Sequence, residues 1–382
     1  MHSLRRRRFA RILFALAGLT FLGCNSSTDP DPGGGGEPYA VIRTFAGTGQ
    51  AGLGTDGVAP ADAQLYLPQD LEFGPDGRPY ILDWNNHRVR VVEAGLVQTL
   101  IGTGELGDAN AGIATEIGLN HPTHVSFDLD GHLILTAWHN SKVMRMDLST
   151  NWIEPICGDG TRDFRGDGGP AVGAWLDLPS STVCDAQGRM YISDQANQRI
   201  RMIDGSGVIS TIVGNGDPGF SGDGGPAVAA QISSPIGQAA APAGRIFVQA
   251  DGTLYIADTG NNRVRRVDPS GIIETVAGNG TFAFGGDDGP ATDAALKWPA
   301  DVAMDSKGNL YIADTRNSCV RRVDTSGDIT TFAGRGGQSG YDGDGGAPAE
   351  ALLNRPYGVA VDANDNVFIA DTHNHRIRVV YK

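Results

Sequence analysis

Short stretches of alternating apolar and polar residues recur from residue 41 to the C-terminus. Runs such as VFIAD (367–371) and HRIRVV (375–380) are five or six residues long and are bounded by Asn, Asp and Gly. This length, the alternation and the bounding turn-forming residues are typical of β-strands joined by tight turns. The pattern therefore predicts an all-β protein.

One segment, Ile-x-Asp-x-x-Asn-x-Arg or a close variant, occurs six times along the chain. The copies are ILDWNNHR (81–88), LTAWHNSK (135–142), ISDQANQR (192–199), IADTGNNR (256–263), IADTRNSC (312–319) and IADTHNHR (369–376). They are spaced by 54 to 64 residues, and the longest interval holds about eight extra residues within 237–252. Self-similarity at such a period indicates a propeller, a solenoid or an array.

The order of the strands separates these alternatives. Each copy predicts four strands, the fourth being an Ile-x-Thr-x-x-Gly segment such as ISTIVG (209–214). The repeated region begins with one of these fourth strands, VIRTFAG (41–47), and ends with a third strand. Pairing the left-over strand with the last copy closes a ring and hides the edges that an open array would expose. We therefore expect a six-bladed β-propeller over residues 40–382, closed by its N-terminal strand.

The repeated sequence can be compared with a known family. The segment GVAVDANDNVFIADTHNHRIRVV (358–380) resembles the NHL repeat, and the GDGGPAxxAxLxxP segments between copies are similar to the teneurin-like NHL repeats of bacterial proteins. The resemblance covers residues 41–382 and implies a propeller. It leaves function open, because NHL propellers include binding platforms as well as lyases and hydrolases.

The first 39 residues predict export rather than a folded domain. Residues 1–23 combine an Arg-rich start with an apolar run, Ile12 to Leu22, that is too short to span a membrane as a helix. The run ends in FLGC (21–24), which resembles a lipobox and implies lipidation of Cys24. The alternative is an ordinary secreted protein with an incidental Cys24. Residues 24–39 have the composition of a flexible tether, so we expect a lipid-anchored protein of the bacterial cell envelope.

Composition narrows the class of partner. The chain has 55 glycines among 382 residues, about twice the usual share. Its formal charge of −14 becomes −19 once residues 1–23 and their five arginines are removed, which disfavours nucleic acid. Glycines and acids concentrate in the loops between copies. We expect these loops to share one face, to repel anionic partners and to favour cations or basic peptides.

The residues that recur in most copies predict structural roles. The aspartates that end the second strands are followed three residues later by Asn and five residues later mostly by Arg, which suggests an Asp–Arg strut. The Asp-Gly-rich loops contain part of a calcium-loop pattern but lack its closing Glu. Three cysteines remain after export, Cys157, Cys184 and Cys319, and their odd number and spacing give no metal-type pairing.

Function is expected where the copies differ. The connections from fourth to first strands and the turns between second and third strands should share one face, which we call the top. Six histidines map there: His87, His121, His124, His139, His373 and His375. Aromatic residues that can stack on a sugar or anchor a peptide lie there too. The candidate ligand-binding residues are Tyr66, Trp84, His87, Trp138, His139, Trp298, His373 and His375.

A second candidate site lies where the first strands begin, near the axis of the ring. Asp70, His124 and Asp301 occupy this place in three copies, and two carboxylates with an imidazole could hold Ca²⁺ or Zn²⁺. The favoured function is a monomeric, lipid-anchored propeller that binds a protein, peptide or glycan. The alternative is a metal-dependent lyase or hydrolase with this axial site, in line with the metal-containing propeller enzymes of similar architecture.

Overall fold

The computed structural model describes residues 41–237 and 239–382, so the predicted signal peptide, Cys24 and tether lie outside the described residues. The strands form six antiparallel sheets of four or five strands each. The innermost strands of neighbouring sheets contact one another around the ring, including those of the first and last sheets. The prediction of an all-β, six-bladed propeller is confirmed.

Blades 1 to 5 each come from one continuous segment. Blade 1 comprises Asp70–Phe73, Pro79–Asp83, Arg88–Glu93 and Leu96–Ile101. Blade 2 comprises Pro122–Phe127, Leu133–Ala137, Lys142–Asp147 and Trp152–Cys157. Blade 3 comprises Pro179–Cys184, Met190–Asp194, Arg199–Ile203 and Ile209–Val213. Blade 4 comprises Ile246–Val248, Leu254–Asp258, Arg263–Val267 and Ile272–Ala277. Blade 5 comprises Pro299–Met304, Leu310–Asp314, Cys319–Val323 and Asp328–Ala333.

Blade 6 is built from both ends of the described chain. It comprises Gly358–Val361, Val367–Asp371, Arg376–Tyr381 and, as its outer strand, Val41–Ala46. Val41 pairs with Tyr381 and Ile42 with Val380 in antiparallel register. The expected closure by the N-terminal strand is therefore confirmed.

Short elements complete the architecture. Three two-residue strands, Gly112–Ile113, Gly225–Pro226 and Gly289–Pro290, extend the outer edges of blades 2, 4 and 5. One set of 3₁₀ turns follows second strands: Trp84–Asn86, Gln195–Asn197, Thr259–Asn261, Thr315–Asn317 and Thr372–Asn374. The other set lies in the loops between blades: Pro60–Asp62, Ala114–Glu116, Ala171–Gly173, Ala227–Ala229, Ala291–Asp293 and Pro348–Glu350. Within residues 41–237 and 239–382 no helix is long and apolar enough to cross a membrane.

The apolar core is divided among the interfaces between blades. One cluster joins blades 1 and 2 through Tyr80, Val125 and Leu135, and another joins blades 6 and 1 through Leu71, Ile81 and Phe368. Burial of such residues is the main force that holds the ring together. Cys157 and Cys319 are buried in this interior as unpaired thiols, and Cys184 is partly buried.

A buried arginine ties each loop to its blade. In blade 4, Arg265 contacts Asp258 at the end of the second strand and Asp223 of the preceding loop, at 3.2 and 2.6 Å. The same trio recurs in blades 1, 3, 5 and 6, with the arginines Arg90, Arg201, Arg321 and Arg378. The predicted Asp–Arg pairing within blades is confirmed. The arginine that makes it lies two residues beyond the arginine expected from the motif.

Two sequence expectations change because of these contacts. The arginines of the motif, such as Arg199 and Arg263, instead lie over loop aromatics, Phe164 and Phe220, and donate to loop carbonyls. Five of the acids assigned to the loops are paired with buried cations: Asp56, Asp167, Asp223, Asp287 and Asp344. The loops therefore present less free negative charge than their composition suggests.

Candidate functional site

The top face is held together by hydrogen bonds from each blade to the next. Thr259 and Thr372, in the turn after the second strand, donate their hydroxyls to the backbone carbonyls of Pro299 and Pro68 in the following blade, at 2.6 and 2.7 Å. Thr315 makes the same bond in blade 5. In blade 3, Gln195 reaches two carbonyls of the longer connection to blade 4.

Blades 1 and 2 depart from this arrangement. Trp84 and Trp138 occupy the places of these threonines, and their indole nitrogens have no hydrogen-bond partner among the described residues. The hydrogen bond that the threonine makes to the next blade is therefore absent in two adjacent blades. In both blades the residue at this place is Trp. A substitution that is purely structural would be expected to keep the bond.

The two tryptophans belong to a compact group that we call the blade 1–2 cluster: Trp84, His87, His121, Trp138 and His139. The ring of His121 is central, with centroids 4.4 Å from those of Trp84 and His87 and 5.0 Å from that of His139. The sequence places His121 on this face but does not single it out, because nothing local shows that three other rings converge on it.

Burial divides the cluster into a base and a surface. The ring of Trp138 stacks on His139 with centroids 4.1 Å apart and is only 1% exposed. The expectation that Trp138 is an exposed stacking surface is therefore wrong, because His139 covers it. Trp84, His87, His121 and His139 are partly exposed and form what a ligand would meet.

The imidazoles of the cluster are neutral at neutral pH. Burial, together with repulsion from His87 and His139, lowers the pKa of His121 to about 3. Burial and the nearby Arg162 lower the pKa of His139 to about 4. His87 has a lowered pKa, because of burial, and its Nδ1 accepts the backbone N–H of His121 at 3.2 Å. The cluster therefore offers aromatic faces and uncharged polar nitrogens.

The remaining predicted residues continue along the same face. The ring of Tyr66 makes an edge contact with His375, whose Nδ1 accepts the backbone N–H of Leu67 at 3.1 Å. His373 stacks near Tyr357 in blade 6. Trp298, in the connection to blade 5, lies under the guanidinium of Arg316 at 3.9 Å. The structure thus places seven of the eight candidates on the surface of blades 6, 1 and 2, with Trp138 buried beneath His139, and leaves Trp298 on blade 5 beside Arg316.

At the axis, the predicted carboxylates Asp70 and Asp301 lie around the guanidinium of Arg245, and His124 lies beside Asp70. The Nη1 atom of Arg245 lies 3.4 Å from Asp70 and 3.3 Å from Asp301, and Nη2 donates to the Thr123 carbonyl at 2.6 Å. His124 lies 3.8 Å from Asp70. The insertion before blade 4 hid Arg245 from sequence comparison of the blades.

A glycine makes room for this guanidinium. Gly358 is the blade 6 residue at the place of Asp70 and Asp301, and a Cβ there would lie 3.1 Å from Arg245 Nη1 and 2.5 Å from a backbone oxygen. Burial raises the pKa of Asp70 to about 7, although Arg245 opposes the shift, and burial lowers the pKa of His124 well below its usual value. Since Arg245 already supplies a positive charge between the carboxylates, this geometry disfavours the candidate metal site at Asp70, His124 and Asp301.

Among the described residues, one group has the spacing of metal ligands: Asp128, Asp130 and His132 in the first turn of blade 2. His132 pairs there with Asp128 at 2.9 Å. The same turn position pairs Arg189 with Asp185 in blade 3 and Asn309 with Asp305 in blade 5. The pair is therefore a recurrent turn contact in which imidazole is one of several partners.

Comparison with protein families agrees with the architecture. Residues 40–218 match the teneurin NHL domain, and residues 296–323 and 353–380 each match the NHL repeat. Teneurin-m of Drosophila melanogaster is 26% identical over 350 residues and human Teneurin-4 is 29% identical over 355 residues. These matches cover 83% and 84% of this chain but only 12% of either teneurin, so the chain spans about an eighth of their length.

Solved structures share the fold at lower identity. A Bacteroides thetaiotaomicron protein of unknown function has a TM-score of 0.65 at 18% identity, covering 89% of this chain and 75% of its own. An auxiliary nutrient binding protein from the same species has a TM-score of 0.64 at 18% identity, covering 90% and 76%. The repeated motifs, the six closed blades and the family matches together show that this chain belongs to the NHL-repeat β-propellers, with a first half of the teneurin type.

Proposed function

We propose that this chain is an exported, lipid-anchored binding module that holds its ligand on the top face, across blades 6, 1 and 2. Proteins, peptides and glycans all suit a propeller face of this kind, and a neutral glycan fits the blade 1–2 cluster best. The module acts as a single propeller and does not bind nucleic acid, in keeping with its formal charge.

The observation that carries this proposal is the paired replacement of Thr by Trp at positions 84 and 138. Each replacement gives up a hydrogen bond that Thr259, Thr315 and Thr372 make to the next blade. What is gained is the partly exposed ring of Trp84 next to three imidazoles, with the buried ring of Trp138 stacked beneath His139. Aromatic rings stack on sugars through their apolar faces, while uncharged nitrogens exchange hydrogen bonds with hydroxyls.

The electrostatics of the cluster favour a neutral ligand over a charged one. His121 and His139 are uncharged at neutral pH because of their lowered pKa values. The solved structure named as an auxiliary nutrient binding protein shares this fold, which supports ligand capture as a use of the architecture.

The anchor is a separate part of the proposal. We propose that Cys24 is lipidated and that residues 25–39 tether the propeller to the cell envelope. Replacing Cys24 by Ser should release the protein from the membrane fraction. Continued membrane association of Cys24→Ser would contradict the anchor without affecting the proposed top-face site.

The binding site is tested by restoring the ordinary residue of the repeat. Trp84→Thr regains the hydroxyl that blades 4, 5 and 6 use, so the variant should fold while losing the aromatic surface. Wild-type protein and the variant would be compared on glycan and peptide arrays. We expect the strongest wild-type glycan signals to weaken by about tenfold.

Thr315→Val serves as the matched control, because it removes a hydrogen bond between blades far from the cluster. Equal binding by wild type and Trp84→Thr would refute the top-face site. Signals confined to the peptide array would replace the glycan assignment with a peptide one.

A further inference from the structure

The lower face of the propeller carries a groove between blades 2 and 3. Its volume is about 740 Å³. Ile156 of blade 2 and Met190 and Ile203 of blade 3 line its interior, and Leu129 and Val172 line its mouth. Leu129 is 65% exposed and Val172 57% exposed, so this apolar surface is accessible. The groove lies on the opposite face from the blade 1–2 cluster and plays no part in the proposed function.

Beneath this groove, blade 2 lacks an aromatic ring that the other five blades have, and the smaller Ile134 packs there with the lining residues Ile156, Met190 and Ile203. The second residue of the second strand is Tyr or Phe in five blades: Tyr80, Tyr191, Tyr255, Tyr311 and Phe368. Blade 2 has Ile134 at this place. Tyr80 shows where the ring goes, because it lies against Phe127 of the next blade with centroids 5.1 Å apart.

The neighbouring interface supplies a direct comparison. The corresponding groove between blades 3 and 4 is lined by Arg189, Tyr191 and Leu254 and has a volume of about 170 Å³. There the aromatic ring of the earlier blade occupies part of the space. At the interface of blades 2 and 3, Ile134 is fully buried in the cluster of Ile192 and Ile203, and the groove beside this cluster has the larger volume of about 740 Å³.

The mouth of this groove is acidic. Asp128, Asp130 and Asp204 line it, against one arginine, Arg145, which pairs with Glu154 at 3.4 Å. Hydrogen bonds from Ser206 and Val208 hold the Asp204 carboxylate in its ionised form. An apolar interior beneath a mouth of net negative charge complements a ligand that joins an apolar ring to a positive charge.

We propose that the groove between blades 2 and 3 binds an extended peptide segment of a partner protein, inserting an aromatic side chain where the repeat lacks its own ring. Basic residues beside that aromatic residue face Asp130 and the other acids of the mouth. The ring would contact Ile156, Met190 and Ile203, and the peptide backbone would lie between Leu129 and Val172.

Synthetic peptides test both halves of this proposal on the full chain. The probe is acetylated Gly-Arg-Phe-Lys-Gly, with two matched peptides that replace Phe by Ala or both basic residues by Glu. We expect isothermal titration to detect the probe at about 1 mM or below and each matched peptide to bind about tenfold more weakly.

Substitution of the missing ring locates the site. Ile134→Tyr should fill the groove and lower the affinity for the probe peptide by about tenfold. Ile134→Val keeps the groove open and should bind the probe with wild-type affinity. Asp130→Asn, on the exposed mouth, should lower the affinity for the probe about threefold and make this affinity less dependent on salt. This variant tests the site even if Ile134→Tyr fails to fold. Unchanged affinity in both folded variants, or no binding by wild type at about 1 mM, would overturn the proposal.

Discussion

The guanidinium of Arg265 contacts the carboxylate of Asp258 across 3.2 Å in a place where neither side chain reaches solvent. Blade 2 lacks this pair altogether, since Ala137 and Met144 occupy the same places. The third member, the loop aspartate, is also replaced there, by Asn110. All three charges have been lost together, as expected if a buried charge is tolerated only with its partners.

This relationship predicts a specific double-mutant result. Arg265→Met alone should lower the free energy of unfolding by about 3–5 kcal/mol, because it leaves Asp258 buried without a cation. Asp258→Ala alone should be similarly harmful. The double variant reproduces the blade 2 residues and should be less destabilised than the sum of the two single variants, as measured by urea unfolding. Strict additivity would contradict the strut.

The glycines of the loops predict a difference between two substitutions at the same backbone angle. Gly343 and Gly345 both have φ of +86°. A Cβ on Gly343 would lie 2.7 Å from the Ala351 Cα, whereas a Cβ on Gly345 meets no atom within 4 Å. Gly345→Ala should lower the free energy of unfolding by about 1 kcal/mol, because alanine disfavours the left-handed backbone conformation. Gly343→Ala should lower it by about 1–3 kcal/mol more, because its Cβ would also clash with Ala351. Equal melting temperatures would show that close approach is unimportant.

The sequence was sufficient for the fold because every blade repeats the same local signals. The ring closure followed from strand order alone, and Val41 and Ile42 do pair with the last strand. The sites were harder to predict because they depend on contacts between different blades. Arg245 reaches Asp70 and Asp301 across the axis, and no local motif marks it. Likewise, the burial of Trp138 depends on the stacking of His139, which spacing cannot reveal.

The lowered pKa values of the blade 1–2 cluster predict a pH dependence. His121 has a pKa of about 3 in the folded protein, while an unfolded histidine titrates near 6.5. Between these values the unfolded chain binds the proton and the folded chain does not, so the contribution of His121 to stability falls as pH decreases. The stability of wild type relative to His121→Gln should therefore rise from pH 4 to about 6.5 and be constant above that pH.

Thermal or urea unfolding across this pH range measures the difference directly, and nitrogen NMR of the imidazoles checks its origin. His132, in the opposite face, provides the control, because His132→Gln should not alter the signals of the cluster. A His121 ring that becomes protonated near pH 6.5 would refute the burial argument.

Arg245 predicts a latent cation site. Arg245→Met leaves Asp70 and Asp301 facing the same axial space without the guanidinium that now lies 3.4 and 3.3 Å from them. The variant should be destabilised by about 3–5 kcal/mol at neutral pH. Calcium should restore part of its melting temperature, because carboxylate oxygens are preferred calcium ligands. Wild type, whose own cation occupies this space, should respond to neither calcium nor EDTA.

Arg321→Met is the matched control for this experiment. Arg321 is also fully buried and also contacts two aspartates, Asp314 at 3.7 Å and Asp287 at 2.6 Å. Its carboxylates lie within one blade and one loop rather than around a shared axis, so calcium should not rescue that variant. Rescue of both variants would indicate a general effect of calcium on an acidic protein. Loss of wild-type stability in EDTA would show instead that a metal coexists with Arg245.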